Sequence, residues 1–462
     1  MWGMDVREWA ELNFATAQLG DRRRTRRLVE VAMALARHPE GSLPQQLIEW
    51  SDLKAAYRLF DCEDVTFDGV AGPHWGLRQA CGPGRFLLVS DTTSLNFTPQ
   101  RGIPGLGPLG KGQGYGFLLH SSLMLKAGTG EVLGLAGQRI WCRPAKSLKR
   151  RTRTQVLRGP RESQLWTFVI DQVGPPPEGA QWVHVADRGA DNFEVYHACR
   201  QQRCDWIIRS RCLTRTVNDA TGSEISLAEL LPSLNVLTTL TLDVSARKKA
   251  GRDTARVAHT ARLEIAAGTL HVPPPRLRSP ELRAQKIDVI PMNVVHVREI
   301  EPPPESAPVE WVLLTSLPVS DATEALETVT AYQRRWTIEE WHKALKTGCQ
   351  VTARQLRTRE RLEPLIALLS IEAVRLLALK QQARLVPDQP AEETFPHSTL
   401  EQLQQLRPKQ KITTTRDAFR AIARLGGFLA RKHDGEPGWQ TLWRGWRTLD
   451  QTRTPHVPKQ PP

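Results

Sequence analysis

Three carboxylates stand out by where they fall. Asp91 closes the apolar run Arg85-Phe86-Leu87-Leu88-Val89-Ser90, and Asp187 closes a second, Trp182-Val183-His184-Val185-Ala186. Glu339 lies among cations, with Arg335 four residues before it, Lys343 four after and Lys346 seven after; Tyr332 lies seven before. On an α-helix these five side chains share one stripe, while Glu340 points about 100° away, so Glu339 is the functional candidate. Taken alone, the stripe is best explained as an exposed ion-pair ladder worth roughly a few tenths of a kcal/mol per pair.

Taken together, the three carboxylates describe a different chemistry. Two divalent ions about 4 Å apart need several shared carboxylate oxygens, with positions left open for water and phosphate. Hard oxygen donors without a histidine or cysteine cluster select Mg2+, with Mn2+ able to substitute. Asp91, Asp187 and Glu339 are therefore expected to be both the metal ligands and the catalytic groups of a phosphoryl transfer. Arg335, Lys343 and Lys346 are expected to hold the flanking phosphates.

The elements around these residues must bring them together. The runs ending in Asp91 and Asp187 have the form of strands buried on both faces. Between them, residues 115–126 and 131–141 read as two strands joined by Ala127-Gly128-Thr129-Gly130, and 161–173 as a helix. A helix over 191–202 and a strand over 206–209 follow. This order is that of an α/β, ribonuclease-H-like core, whose first and fourth strands lie side by side and would set Asp91 beside Asp187. Residues from about 212 to 305 break the alternation and read as a β-rich insertion with a basic patch, Arg247, Lys248, Lys249 and Arg252. Residues 311–315 give one more strand, and Asp321 caps a long helical stretch to about Thr347.

The flanks read as helical. Asp21 caps a helix over Arg22–Arg37 that opens with five arginines in six residues and carries Leu28, Val31, Ala32 and Leu35 as an apolar stripe. Cations at a helix N-terminus oppose its dipole, so Arg22, Arg23, Arg26 and Arg27 are expected to meet a polyanion. The expected division is a helical DNA-binding domain over 1–70, the ribonuclease-H-like catalytic domain over 71–372 and a helical C-terminal domain over 373–462. In the last, Trp439, Trp443 and Trp446 form a packing stripe.

The chain's 462 residues carry 63 Lys plus Arg against 49 Asp plus Glu, a formal charge of +14 that favours nucleic acid as the partner. The seven cysteines, at 62, 81, 142, 199, 204, 212 and 349, include no CxxC pair, which excludes a zinc ribbon and a disulfide framework and suits a reducing cytoplasm. The first residues lack a signal-peptide pattern. The most apolar stretch, 365–379, contains Glu372 and Arg375 and falls short of the ~20 residues that span a bilayer, so no membrane association is expected. Gly105-Leu106-Gly107-Pro108-Leu109-Gly110-Lys111 approaches a P-loop, but Gly112 stands where Ser or Thr must hold Mg2+, and no nucleotide cofactor is expected.

These motifs in combination resemble the cut-and-paste DDE transposases of the insertion-sequence-four family, the hairpin-forming group. Its Y-(2)-R-(3)-E-(6)-K signature is met at Tyr332, Arg335, Glu339 and Lys346. Asp91-Thr92-Thr93-Ser94 matches the first-aspartate motif, and Asp187-Arg188-Gly189-Ala190-Asp191 resembles the second, with Gly189 where close relatives carry an acidic residue. The likeness extends to Leu19-Gly20-Asp21-Arg22-Arg23-Arg24-Thr25 and to residues 421–428. It implies end nicking, hairpin formation and opening, and strand transfer at terminal inverted repeats in double-stranded DNA. It also implies a base flipped onto tryptophan at the positions of Trp311 and Trp336, with Arg209 as a basic residue near the flipped strand. A synaptic homodimer joined through the C-terminal segment and a bacterial, nucleoid-associated location follow from the same likeness. A hydrolytic ribonuclease-H-fold nuclease and a non-catalytic DNA-binding derivative are the rival readings.

Overall fold

A computed structural model describes residues 5–453 apart from 101, 111, 113, 145–151, 153–154, 156–158, 247–255, 286, 305 and 432–433. The basic patch at Arg247, Lys248, Lys249 and Arg252 lies outside the described residues, as does Lys111. Helices occupy the N-terminal region, including Val6–Phe14, Arg22–Arg37, Trp50–Phe60 and Phe67–Gly76. Asp21 caps the second of these through its side chain to the Arg23 N–H, as its position before an arginine-rich first turn requires.

The strands are β1 (Gly84–Asn96), β2 (Gly107–Pro108), β3 (Tyr115–Lys126), β4 (Val132–Trp141), β5 (Ala180–Ala186), β6 (Asp205–Arg209), β7 (Thr216–Asn218), β8 (Glu224–Ser226), β9 (Asn235–Val244), β10 (His259–Val272), β11 (Ile290–Ile300) and β12 (Glu310–Thr315). They form one sheet in the order β2-β3-β1-β5-β6-β12-β11-β10-β7-β8, with β4 also on β3 and β9 also on β10. β1 is antiparallel to β3 and parallel to β5, which is parallel to β6. The segment β4-β3-β1-β5-β6 is the ribonuclease-H-like core, and its first and fourth long strands, β1 and β5, are neighbours. Leu87 and Val89 of β1 pack into the cluster on one face, and Phe86 and Leu88 pack with Trp166 and Trp206 on the other. Burial on both faces is why the run that ends in Asp91 is continuously apolar.

The β-rich insertion continues the same sheet. β12 pairs antiparallel with β6 and with β11, so the insertion's β10 and β11 extend the core edge. The GxGxxG-like stretch contains the two-residue strand β2 and leads into β3, where a P-loop would lead into a helix.

Beyond the sheet, the helix Arg359–Leu385 forms the centre of a helical layer. Its residues 365–374 are buried on every side, which explains the apolar stretch; among the described residues no helix is long and apolar enough to cross a membrane. Glu372 is fully buried and pairs with Arg375 at 2.8 Å. The Arg375 guanidinium lies 5.4 Å from the Trp9 ring and 5.5 Å from the Trp443 ring, joining the N-terminal, central and C-terminal helices around one buried ion pair. Trp446 lies 6.1 Å from Phe395. Trp443 and Trp446 thus pack within the chain, whereas the Trp439 side chain lies outside the described residues.

Candidate active site

The sheet register sets the two aspartates together. β1 and β5 pair in parallel up to Ser90 opposite Ala186, and the next residue on each is Asp91 and Asp187. Asp91 Oδ1 accepts the Thr92 N–H at 2.7 Å. Asp187 caps the 3-10 turn Arg188–Ala190 by accepting the Gly189 N–H at 2.7 Å. A Cβ on Gly189 would come 3.0 Å from Asp187 Oδ1 and 3.1 Å from the Trp166 ring. That close approach leaves little room for a side chain at this position.

The third carboxylate comes from a continuous helical run of changing type. Helix Ala322–Gln333 passes into the 3-10 turn Arg334–Trp336, the helix Thr337–Lys343 and the π turn Ala344–Gly348. Glu339 receives Arg335 Nη2 at 2.8 Å, whereas Glu340 pairs with Lys380 of the long helix. Tyr332 is buried, Arg335, Glu339 and Lys346 are half-buried, and Lys343 is exposed, with no described contact to the carboxylates.

Burial foremost, then the Asp187 charge and more weakly the Glu339 charge, push the Asp91 carboxyl up to about 6; the Thr92 N–H and Arg335 oppose them. Burial also raises Glu339, with Asp187 adding and Arg335 opposing. Burial lowers the Lys346 ammonium, and Asp91 partly restores it. Glu339 Oε2 is buried without a hydrogen-bond partner. Clustered, partly desolvated carboxylates with an unpaired oxygen fit a hard divalent cation, whose charge offsets the repulsion. Among the described residues no three acidic, histidine or cysteine side chains converge closely enough to enclose one ion; Arg335 holds one Glu339 oxygen aside.

A second cluster adjoins Asp187. Tyr332 packs at 5.5 Å, with its ring tilted by 59°, against half-buried Trp311, and burial raises its phenol while Arg209 lowers it through charge and a hydrogen bond. Arg209 Nη2 donates to the Glu310 carbonyl at 2.7 Å. Trp336 is 64% exposed, with the Arg335 guanidinium 5.8 Å from its ring.

The N-terminal arginines divide. Arg23 pairs with Asp21 at 3.2 Å, and Arg27 with Glu30 at 2.8 Å and Asp52 at 3.0 Å. Arg24 bonds Asp64 and, at 2.8 Å, the Leu19 carbonyl. Arg22 and Arg26 are exposed with no ion pair among the described residues. The compensation expected from a polyanion is thus supplied in part by the protein's own acids.

His342 was not singled out by the sequence reasoning. It is buried, with Nδ1 3.9 Å from Asp91 Oδ2. Its place three residues after Glu339 and four before Lys346 was the available signal.

Three family models match the chain. A transposase DNA-binding model covers residues 6–65, a transposase DDE domain covers 165–371, and a transposase Tn5 dimerisation domain covers 371–452. The DDE match contains Asp187 and Glu339 and begins beyond Asp91.

Proposed function

The chain belongs to the DDE transposases, with domains for DNA binding, DDE chemistry and dimerisation, and from that premise we propose that it performs cut-and-paste transposition. The steps are end nicking, hairpin formation and opening, and strand transfer at terminal inverted repeats, in the manner of the insertion-sequence-four group. The observation that carries this reading is the meeting of Asp91 and Asp187, from adjacent parallel strands, with Glu339 in their electrostatic field.

In this reading Asp91, Asp187 and Glu339 hold the divalent cations, Mg2+ or, in its place, Mn2+. Bound cations lower the pKa of the attacking water or 3′-hydroxyl and stabilise the leaving oxygen. Arg335 and Lys346 neutralise the flanking phosphates, and Lys343 contacts DNA further along the helix. Exposed Trp336 offers its face to a flipped base, and half-buried Trp311, packed against Tyr332, offers a second aromatic surface. Arg22 and Arg26, with Arg23 and Arg27 beside them, engage the DNA backbone from a head over 1–70. The catalytic domain then spans 71–372 and the dimer-forming region 373–462, in a bacterial enzyme acting on nucleoid DNA as a synaptic dimer.

The test is product analysis on duplex DNA carrying the element's own ends, with Mg2+ or Mn2+, on a denaturing gel. Hairpin ends that later open and join target DNA support the proposal. Nicks alone would favour a hydrolytic nuclease, and end binding without cleavage a non-catalytic derivative.

A further inference from the structure

His342 is a buried polar residue that neither the DDE match nor the sequence motifs assign. It lies one turn after Glu339 and one turn before Lys346 and is 8% exposed. Its Nδ1 is 3.9 Å from Asp91 Oδ2, and its Nε2 is buried without a partner. Asp91 Oδ1 is already engaged by the Thr92 N–H, which leaves Oδ2 as the oxygen that His342 faces.

The helix that carries His342 is pinned. The neighbouring Trp341 donates Nε1 to the Ser370 carbonyl at 3.2 Å, and Glu340 pairs with Lys380. On the other side, Asp91 is opposite Ser121 of β3, whose Oγ receives Gln138 Nε2 at 2.9 Å. A proton on Nδ1 faces the carboxylate, whereas a proton on Nε2 alone would be a buried, unpaired donor and would leave the Nδ1 lone pair facing the carboxylate, so the geometry favours Nδ1–H.

We propose that His342 is a positioning residue for Asp91, donating Nδ1–H to Oδ2 and so fixing the carboxylate that Asp91 presents to the divalent cation. The proposal rests on the reading of Asp91 as a metal ligand. At 3.9 Å the pair is not yet a hydrogen bond, and closure of about 1 Å completes it. Outer partners of metal-bound side chains typically contribute about 10–100-fold in metal affinity.

The experiment is Mn2+ binding to the full-length protein, by calorimetry and by the free-ion spin-resonance signal, with melting in chelator as a check on folding. His342→Leu is expected to weaken Mn2+ binding about 10–100-fold without a matching change in melting. His342→Asn, whose amide stands near the Nδ1 position, is expected to stay close to wild type, and His342→Gln to fall with the leucine variant. Leucine binding Mn2+ as tightly as wild type overturns the proposal. If leucine does not fold, equal affinities for the asparagine and glutamine variants overturn it. Asp91→Asn separates the two levels. If it binds Mn2+ normally, the reading of Asp91 as a ligand fails and the proposal with it. If it loses binding while His342→Leu does not, only the role of His342 fails.

Discussion

Arg335 and Glu339 sit one helical turn apart, and the guanidinium Nη2 donates to Glu339 Oε1 at 2.8 Å while the other carboxylate oxygen remains buried and unpaired. The arginine therefore neutralises the very carboxylate that is proposed to take a cation, and it can exchange that partner for a phosphate when DNA arrives. Arg335→Ala is expected to leave Mn2+ affinity equal to or tighter than wild type while single-turnover cleavage falls at least about 10-fold, in the range of a lost transition-state contact. Calorimetry beside a quench-flow cleavage assay checks both halves. A parallel loss of metal binding would place Arg335 in support of Glu339 instead.

Asp91 gives a pH dependence of definite sign. Its folded pKa of about 6 lies above the ordinary 3.8, so the folded protein without cation binds the extra proton. The favourable contribution of neutral Asp91 is complete below about pH 4 and is lost as pH rises through about 6, an effect on the order of 1–3 kcal/mol. The melting temperature of wild type relative to Asp91→Asn, in chelator, is expected to fall between pH 4.5 and about 7 and to recover with Mg2+ above about pH 6. Differential scanning fluorimetry across that range reads it; a flat difference means that Asp91 is not under this strain.

The two tryptophans should separate by what surrounds them. Trp336 is 64% exposed, so Trp336→Ala is expected to change stability by less than about 0.5 kcal/mol. Its effect should appear as roughly 5–150-fold weaker capture of a flipped base, followed with 2-aminopurine at the hairpin position. Trp311→Ala also removes packing against Tyr332 and is expected to lower melting as well as base capture.

Much of this was legible in the sequence. The runs into Asp91 and Asp187 are continuously apolar because both faces of β1 and β5 are covered, and a carboxylate at the end of such a run has few structural uses. The 100° step that separated Glu339 from Glu340 corresponds to a real divergence of partners, Arg335 for one and Lys380 for the other. Asp21 marked its helix start because capping is a local interaction. Long-range pairing was not legible. Nothing local shows that β12 joins β6 and carries the insertion into the core sheet, and β11 is masked by Pro291 and its interspersed polar residues. The acids that neutralise Arg24 and Arg27, Asp64 and Asp52, are 40 and 25 residues away in sequence. The 3-10 and π turns around Glu339 are likewise absent from any local signal in the sequence.

That division of the N-terminal arginines yields its own test. Arg22→Ala and Arg26→Ala are each expected to weaken binding to any duplex and to reduce the salt slope of binding by about 1, with little change in melting. Arg24→Ala is expected instead to lower the melting temperature, because it removes the contacts to Asp64 and the Leu19 carbonyl. Fluorescence anisotropy at several salt concentrations, paired with thermal melts, distinguishes the two groups.

The central claim is that Asp91, Asp187 and Glu339 form one metal-dependent site, and the most direct measurement compares Mn2+-dependent cleavage of the element's ends by wild type, Glu339→Ala and Glu340→Ala. The account predicts that Glu339→Ala binds the ends but loses cleavage by at least about 1000-fold, an electrostatic contribution of some 4 kcal/mol, while Glu340→Ala cuts. Cleavage by Glu339→Ala at the wild-type rate, or loss of cleavage confined to Glu340→Ala, would contradict it.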